Sequence, residues 1–129
     1  MSWLSLLLII KIGVTILFVA APFLLLPKQK LEALTKITAP NSVFFRLYGV
    51  AVTALVVGYA FGIPSAEAGV FPHGVVWMGI VSNSGASVLL LTYARGDKQN
   101  RALGIIFGLI ALGLIAAMIS PVGALQKVW

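Results

Sequence analysis

The sequence predicts an all-α fold: a polytopic membrane protein built as a bundle of four transmembrane helices, with a short interfacial amphipathic helix between the first and the second. Two observations lead there. Of 129 residues, 60% are hydrophobic and only 9% charged, where a soluble domain carries about a quarter charged residues; mean hydropathy is +1.09. The apolar residues also fall into four runs, each close to the ~20 residues that a helix needs to cross the hydrocarbon core. A chain of this length makes one domain, so residues 1–129 are read as a single bundle.

The first run, residues 3–26, is interrupted by Lys11 and Pro22 and closed by Pro27. It lacks a basic leading segment and is too long for the core of a signal peptide, so it is expected to stay as a helix. The segment Pro27 to Ile37 follows. A proline suits the first turn of a helix, and Leu31, Leu34 and Ile37 share one stripe while Lys28, Glu32 and Lys36 lie off it. This predicts a short helix on the inner leaflet, with Lys28, Lys30 and Lys36 facing anionic headgroups. The second run, 43–63, stops at Pro64; the third, 73–94, ends at the polar turn from Arg95 to Arg101; the fourth, 102–119, terminates at Ser120-Pro121.

Basic residues orient the bundle. Seven of the nine lie in the first and third links or at their mouths: Lys28, Lys30, Lys36, Arg46, Arg95, Lys98 and Arg101. The positive-inside rule then puts those links in the cytoplasm and both termini outside. For a bacterium this means a multi-pass protein of the inner membrane with periplasmic termini. The net charge of +6 is thereby accounted for by topology, and nucleic acid is not expected as a partner. The lipid bilayer is, together with a membrane-protein partner or further copies of the chain.

Small residues at helical spacing mark candidate packing faces: Gly58 and Gly62 on the second helix, Gly79, Ser82 and Ala86 on the third, Gly104 and Gly108 on the fourth. Such residues let helix backbones approach closely where lipid supplies no hydrophobic drive. Arg46, Gly49 and Gly58 also reappear as Arg101, Gly104 and Gly113, each 55 residues on, the pattern that a duplicated helical hairpin leaves.

Titratable chemistry is sparse. Cysteine is absent, there is one histidine, and the three acids, Glu32, Glu67 and Asp97, fall outside the four runs. Thiolate catalysis, cysteine-ligated metals and intramembrane proton relay by carboxylates are excluded. No nucleophile–base pair, metal cluster or nucleotide loop is present, so neither an enzyme nor a cofactor is expected. Lys11 stands out. It lies roughly 12 Å inside Trp3 at ~1.5 Å per helical residue, where a lysine costs about 2.5–3.5 kcal/mol. It calls for a partner, and Glu67, Tyr59 and His73 belong to the same half. Continued inward by Asn83, these five residues make a candidate polar pocket.

The segment Phe45-Arg46-Leu47-Tyr48-Gly49-Val50-Ala51, behind its proline- and lysine-containing link, resembles the entry to the second helix in small four-helix bacterial membrane proteins of the DoxX-like type and related families. The resemblance covers about half of the chain and implies a four-helix bundle without catalytic residues to carry over. Since packing features outnumber chemical ones, the expected function is that of a non-enzymatic accessory or scaffolding subunit, a helical-bundle assembly factor. A small solute carrier or channel-like protein with a polar pocket around Lys11, and a lipid- or quinone-binding module, are the alternatives.

Overall fold

The computed structural model describes residues 1–93 and 96–129. Residue 94, the expected end of the third helix, and Arg95 lie outside the described residues. The chain is all-helical. Among the described residues six helices follow in order: α1 (Trp3–Leu25), α2 (Lys28–Thr35), α3 (Val43–Glu67), α4 (His73–Tyr93), α5 (Lys98–Ile119) and α6 (Pro121–Ala124). Four of them, α1, α3, α4 and α5, are long and apolar enough to cross a membrane.

Local chemistry sets the helix ends. Ser2 opens α1 by accepting the Ser5 amide on its hydroxyl at 3.1 Å, a serine N-cap. Over Ile16–Ala20 the helix widens into a π-helical turn, just ahead of Pro22. A proline ring presses on the carbonyl four residues back, here that of Phe18, and a widened turn is one way membrane helices make room for it.

Two boundaries differ from the sequence expectation. The helix α3 runs past Pro64 to Glu67. Proline forfeits one amide but keeps a helical φ, and the last turn is held by Ala68 N–H to the Pro64 carbonyl at 3.0 Å and Val70 N–H to that of Ser65 at 2.9 Å. The helix α5 starts at Lys98, in a stretch expected to be a turn, because Asp97 caps it through the Asn100 amide at 3.0 Å.

The bundle is two antiparallel hairpins. The helices α1 and α3 pack along most of their length, as do α4 and α5, and contact between the hairpins is slighter. The hairpins echo each other in space. Gly49 on α3 abuts Leu24 of α1, and Gly104 on α5 abuts Leu91 of α4; Gly58 on α3 faces Met78 of α4, and Gly113 on α5 faces Leu7 of α1. At positions 55 residues apart, the second helix of each hairpin thus offers one glycine to its own partner and one to the other hairpin.

The main core runs through the middle, with Leu4, Leu8, Val52, Tyr59, Val76, Phe107, Ile110 and Leu114 buried. A smaller core lies at the basic end, where Leu31 of α2 is buried with Ala39 and Phe45, against Phe23 and Leu26. Ile37, expected on the same stripe as Leu31, is exposed: α2 has ended, with Lys36 left-handed at φ 59° as its C-terminal cap.

Candidate functional site

The five residues of the candidate pocket go to three places. Lys11, Tyr59 and Asn83 meet in the centre of the bundle. Glu67 lies at the end of α3 beside the N-terminus, where its carboxylate accepts the Ser2 amide at 2.7 Å and stands 3.5 Å from the Met1 ammonium. His73, exposed at the start of α4, packs edge-on against Phe71 with ring centres 4.8 Å apart.

The central group is built from all four long helices. Tyr59 of α3 is fully buried, and its hydroxyl pairs with the Ser82 hydroxyl of α4 at 2.9 Å. Asn83 donates its amide to that tyrosine oxygen at 3.1 Å and to the Gly79 carbonyl at 2.6 Å; Ser82 donates to the same carbonyl at 3.3 Å. The two hydroxyls, the amide and one backbone carbonyl thus close into a ring of hydrogen bonds. Gly79 makes room for it: a Cβ there would fall 3.1 Å from the Tyr59 ring and 2.6 Å from a Leu114 methyl. The network also fixes the sense of the Asn83 amide, because its nitrogen must face the Gly79 carbonyl.

Lys11 of α1 reaches the other side of this group. It is 6% exposed, and its Nζ lies 4.4 Å from the centre of the Phe107 ring on α5 and 5.8 Å from that of Tyr59. Ring faces attract a cation, worth about 2 kcal/mol where water is excluded, but no ion pair or hydrogen bond holds this ammonium among the described residues. Two further polar atoms here are buried without a partner, the Thr15 hydroxyl oxygen and Asn83 Oδ1. Thr15 stands one helical turn from Lys11. The other helical threonines, Thr35, Thr53 and Thr92, each donate to the carbonyl four residues back; Thr15 does not. Chemically the centre offers one cation, one hydroxyl and one amide oxygen with hydrogen-bonding capacity unspent.

Thr15 and Phe107 were not singled out in the sequence. The spacing of Thr15 from Lys11 was readable there, whereas Phe107 meets Lys11 only through tertiary packing.

The small residues singled out lie at close approaches. A Cβ on Gly62 would meet Val75 at 2.9 Å and Leu8 at 3.0 Å; on Gly104, Leu91 at 3.0 Å; on Gly108, the Ser87 hydroxyl at 2.9 Å. That hydroxyl donates to the Gly104 carbonyl at 2.8 Å. Ala86 is half-buried against the main core. At the basic end Lys28 pairs with Glu32 at 3.4 Å, while Lys30 and Lys36 are exposed. The Ala39 amide, donating to Glu32 at 2.8 Å, is the main cause holding that carboxyl below the usual glutamate value, with Lys28 adding to it.

Clefts open on the surface at both ends of the bundle. One, about 370 Å³, lies between α1 and α5, lined by Trp3, Leu4 and Leu7 on one side and by Gly113, Ala116, Ala117 and Ser120 on the other, with Gly123 and Ala124 beyond. The second, about 500 Å³, lies at the basic end among Thr35, Lys36, Ile37, Tyr93 and Asn100. No family model matches this chain, and neither a curated protein nor a solved structure matches it. The functional reading therefore rests on this geometry.

Proposed function

We propose that this chain is a multi-pass membrane protein whose four long helices cross a bacterial inner membrane, with the basic end in the cytoplasm and both termini outside, and that it serves as a non-enzymatic accessory or scaffolding subunit. In this reading α2 lies along the inner leaflet, and the likeness to DoxX-like proteins is one of fold. The cleft between α1 and α5 carries the functional part. Its α5 wall is a ladder of small residues, Gly113, Ala116, Ala117 and Ser120, of which Ala116 and Ser120 are exposed. Between helices in lipid, association depends on close van der Waals approach, which small residues permit. A ladder of them facing an open cleft is a seat for another helix.

Native mass spectrometry of mild-detergent extracts tests this. The chain should be recovered with another membrane protein or as an oligomer, and Ala116→Leu, at an exposed position of that wall, should release it. Recovery as a monomer alone would defeat the reading. A second reading, a small solute carrier with its site around Lys11, is favoured by the unpartnered Thr15 and Asn83 oxygens. It requires solute flux in proteoliposomes that Lys11→Gln abolishes.

A further inference from the structure

The buried face of α1 ends in two polar side chains whose hydrogen-bonding capacity the fold leaves unspent. Leu4, Leu8, Lys11 and Thr15 are all buried, and their spacing of four, three and four residues turns them to one side of the helix, into the bundle. Lys11 Nζ lies over the Phe107 and Tyr59 rings. The Thr15 hydroxyl, one turn further on, has no hydrogen-bond partner among the described residues. Lys11 is 6% exposed and Thr15 3%, so neither is served by the surroundings of the bundle.

A buried charge is ordinarily paired, and no carboxylate of this chain serves Lys11. Glu32 is engaged by Lys28 and the Ala39 amide, Glu67 by the Met1 ammonium and the Ser2 amide, and Asp97 by the Asn100 amide. The two ring faces attract the cation without cancelling its charge. A lipid phosphate is poorly placed, since Lys11 is roughly 12 Å along the helix axis from Trp3. What the centre lacks is therefore a negative charge small enough to lie within the bundle.

We propose that the centre of the bundle binds a small monovalent inorganic anion of the halide class, held by the Lys11 ammonium and the Thr15 hydroxyl. The inference rests on the second reading above, in that it takes the same centre as the site, and it names the class of ligand. One ammonium balances one negative charge, and in a medium of low dielectric constant that attraction is far stronger than in water. Both groups donate hydrogen bonds. Thr15 is free to do so because its hydroxyl, unlike those of Thr35, Thr53 and Thr92, is not turned back onto its own helix. The Phe107 and Tyr59 rings crowd the ammonium, which favours a single-atom ion over an organic one. Asn83 Oδ1 is an acceptor and no ligand for an anion; it is left to water. Directly after Thr15 comes the π-helical turn of α1, a feature that recurs at functional sites.

The test uses the full-length chain in lipid nanodiscs, prepared in sodium gluconate and titrated with sodium bromide at constant ionic strength. The melting temperature should rise with bromide and saturate, and crystals grown in bromide should show its anomalous scattering beside Lys11 Nζ. Thr15→Val, which keeps the shape and removes the hydroxyl, should raise the half-saturating bromide concentration about tenfold. Lys11→Met should abolish the response. A melting temperature indifferent to bromide in the unaltered chain overturns the proposal, and this comparison needs no variant to fold. So does a rise that sulfate matches, which is a general salt effect, and so does a saturable rise that survives Lys11→Met, which places the ion elsewhere. Bromide flux into proteoliposomes separates the two readings. Saturable, Lys11-dependent binding without flux keeps the anion site and removes the carrier. Lys11-dependent flux of another solute, in a chain that ignores bromide, keeps the carrier and removes the anion site.

Discussion

A buried ammonium without a carboxylate reverses the usual expectation for replacing a charged residue. Where a buried ion pair is broken, removing one partner destabilises, because the other charge is left behind. Among the described residues Lys11 has only the faces of Phe107 and Tyr59, so in the isolated chain its replacement by methionine, similar in length and flexibility, removes a desolvated charge and leaves none. Lys11→Met should therefore stabilise the purified monomer by about 1–3 kcal/mol, read as a higher melting temperature or a higher denaturing detergent fraction at the midpoint. A loss of stability would mean that Lys11 is already neutralised within the fold. Neighbouring Asn83 is different in kind: its amide is spent on Tyr59 and Gly79, so it serves the bundle itself, and only its Oδ1 is left over.

Among the elements, the joints between helices depend on a few groups that satisfy or crowd the backbone. The last carbonyls of a helix have no partner within it, and Arg46 at the start of α3 supplies one for α1: Nη1 donates to the Phe23 carbonyl at 2.8 Å and Nη2 to that of Leu26 at 2.9 Å. Lysine keeps the charge and loses the fork, so Arg46→Lys should cost about 1.5–3 kcal/mol in the same unfolding assay, and the expected sign fails if the variant is neutral. Glycines within α4 separate in the same way. Gly79→Ala puts a methyl against Leu114 and Tyr59 and should cost about 1–3 kcal/mol by overpacking. Gly85 has nothing within 4 Å of a Cβ, and Gly85→Ala should gain about 0.5–1 kcal/mol from backbone entropy. The apolar runs made the four long helices legible, because their length and hydropathy are properties of the sequence alone. Their ends were less so: whether Pro64 stops α3, or Asp97 starts α5 at Lys98, depends on which amides find acceptors, and that is decided locally in the folded chain. Of the central site, Lys11 and Asn83 were legible as polar groups in apolar surroundings. Glu67 could not be told from a partner of Lys11, since the N-terminal ammonium that engages it is brought there by the fold.

At the scale of the whole molecule, the repeated packing of the two hairpins and the placement of charge act together. The paired glycines 55 residues apart make the two hairpins packing equivalents, and two hairpins whose first and second helices run the same way carry their connecting links at the same end. Both links are basic: Lys28, Lys30 and Lys36 lie in the first, and Lys98 and Arg101 at the second. The link between the hairpins, from Ala68 to Pro72, carries no basic residue. In the proposed membrane topology each half would then favour the same orientation. The rule that retains basic links in the cytoplasm then predicts termini outside, and the chain is suited to the measurement because it contains no cysteine. A single cysteine at Gln29 should react with a membrane-impermeant maleimide only after the inner membrane is opened, whereas one at Ala68 should react in spheroplasts whose inner membrane is intact. Neutralising Lys28, Lys30 and Lys36 together should leave the second hairpin oriented by Lys98 and Arg101 while the first loses its bias, so that a mixed labelling pattern appears at Gln29 and not at a cysteine placed at Gln99. Labelling of Gln29 from outside in the unaltered background would reverse the orientation, and uniform inversion of both links in the neutralised variant would show that the first hairpin alone directs insertion.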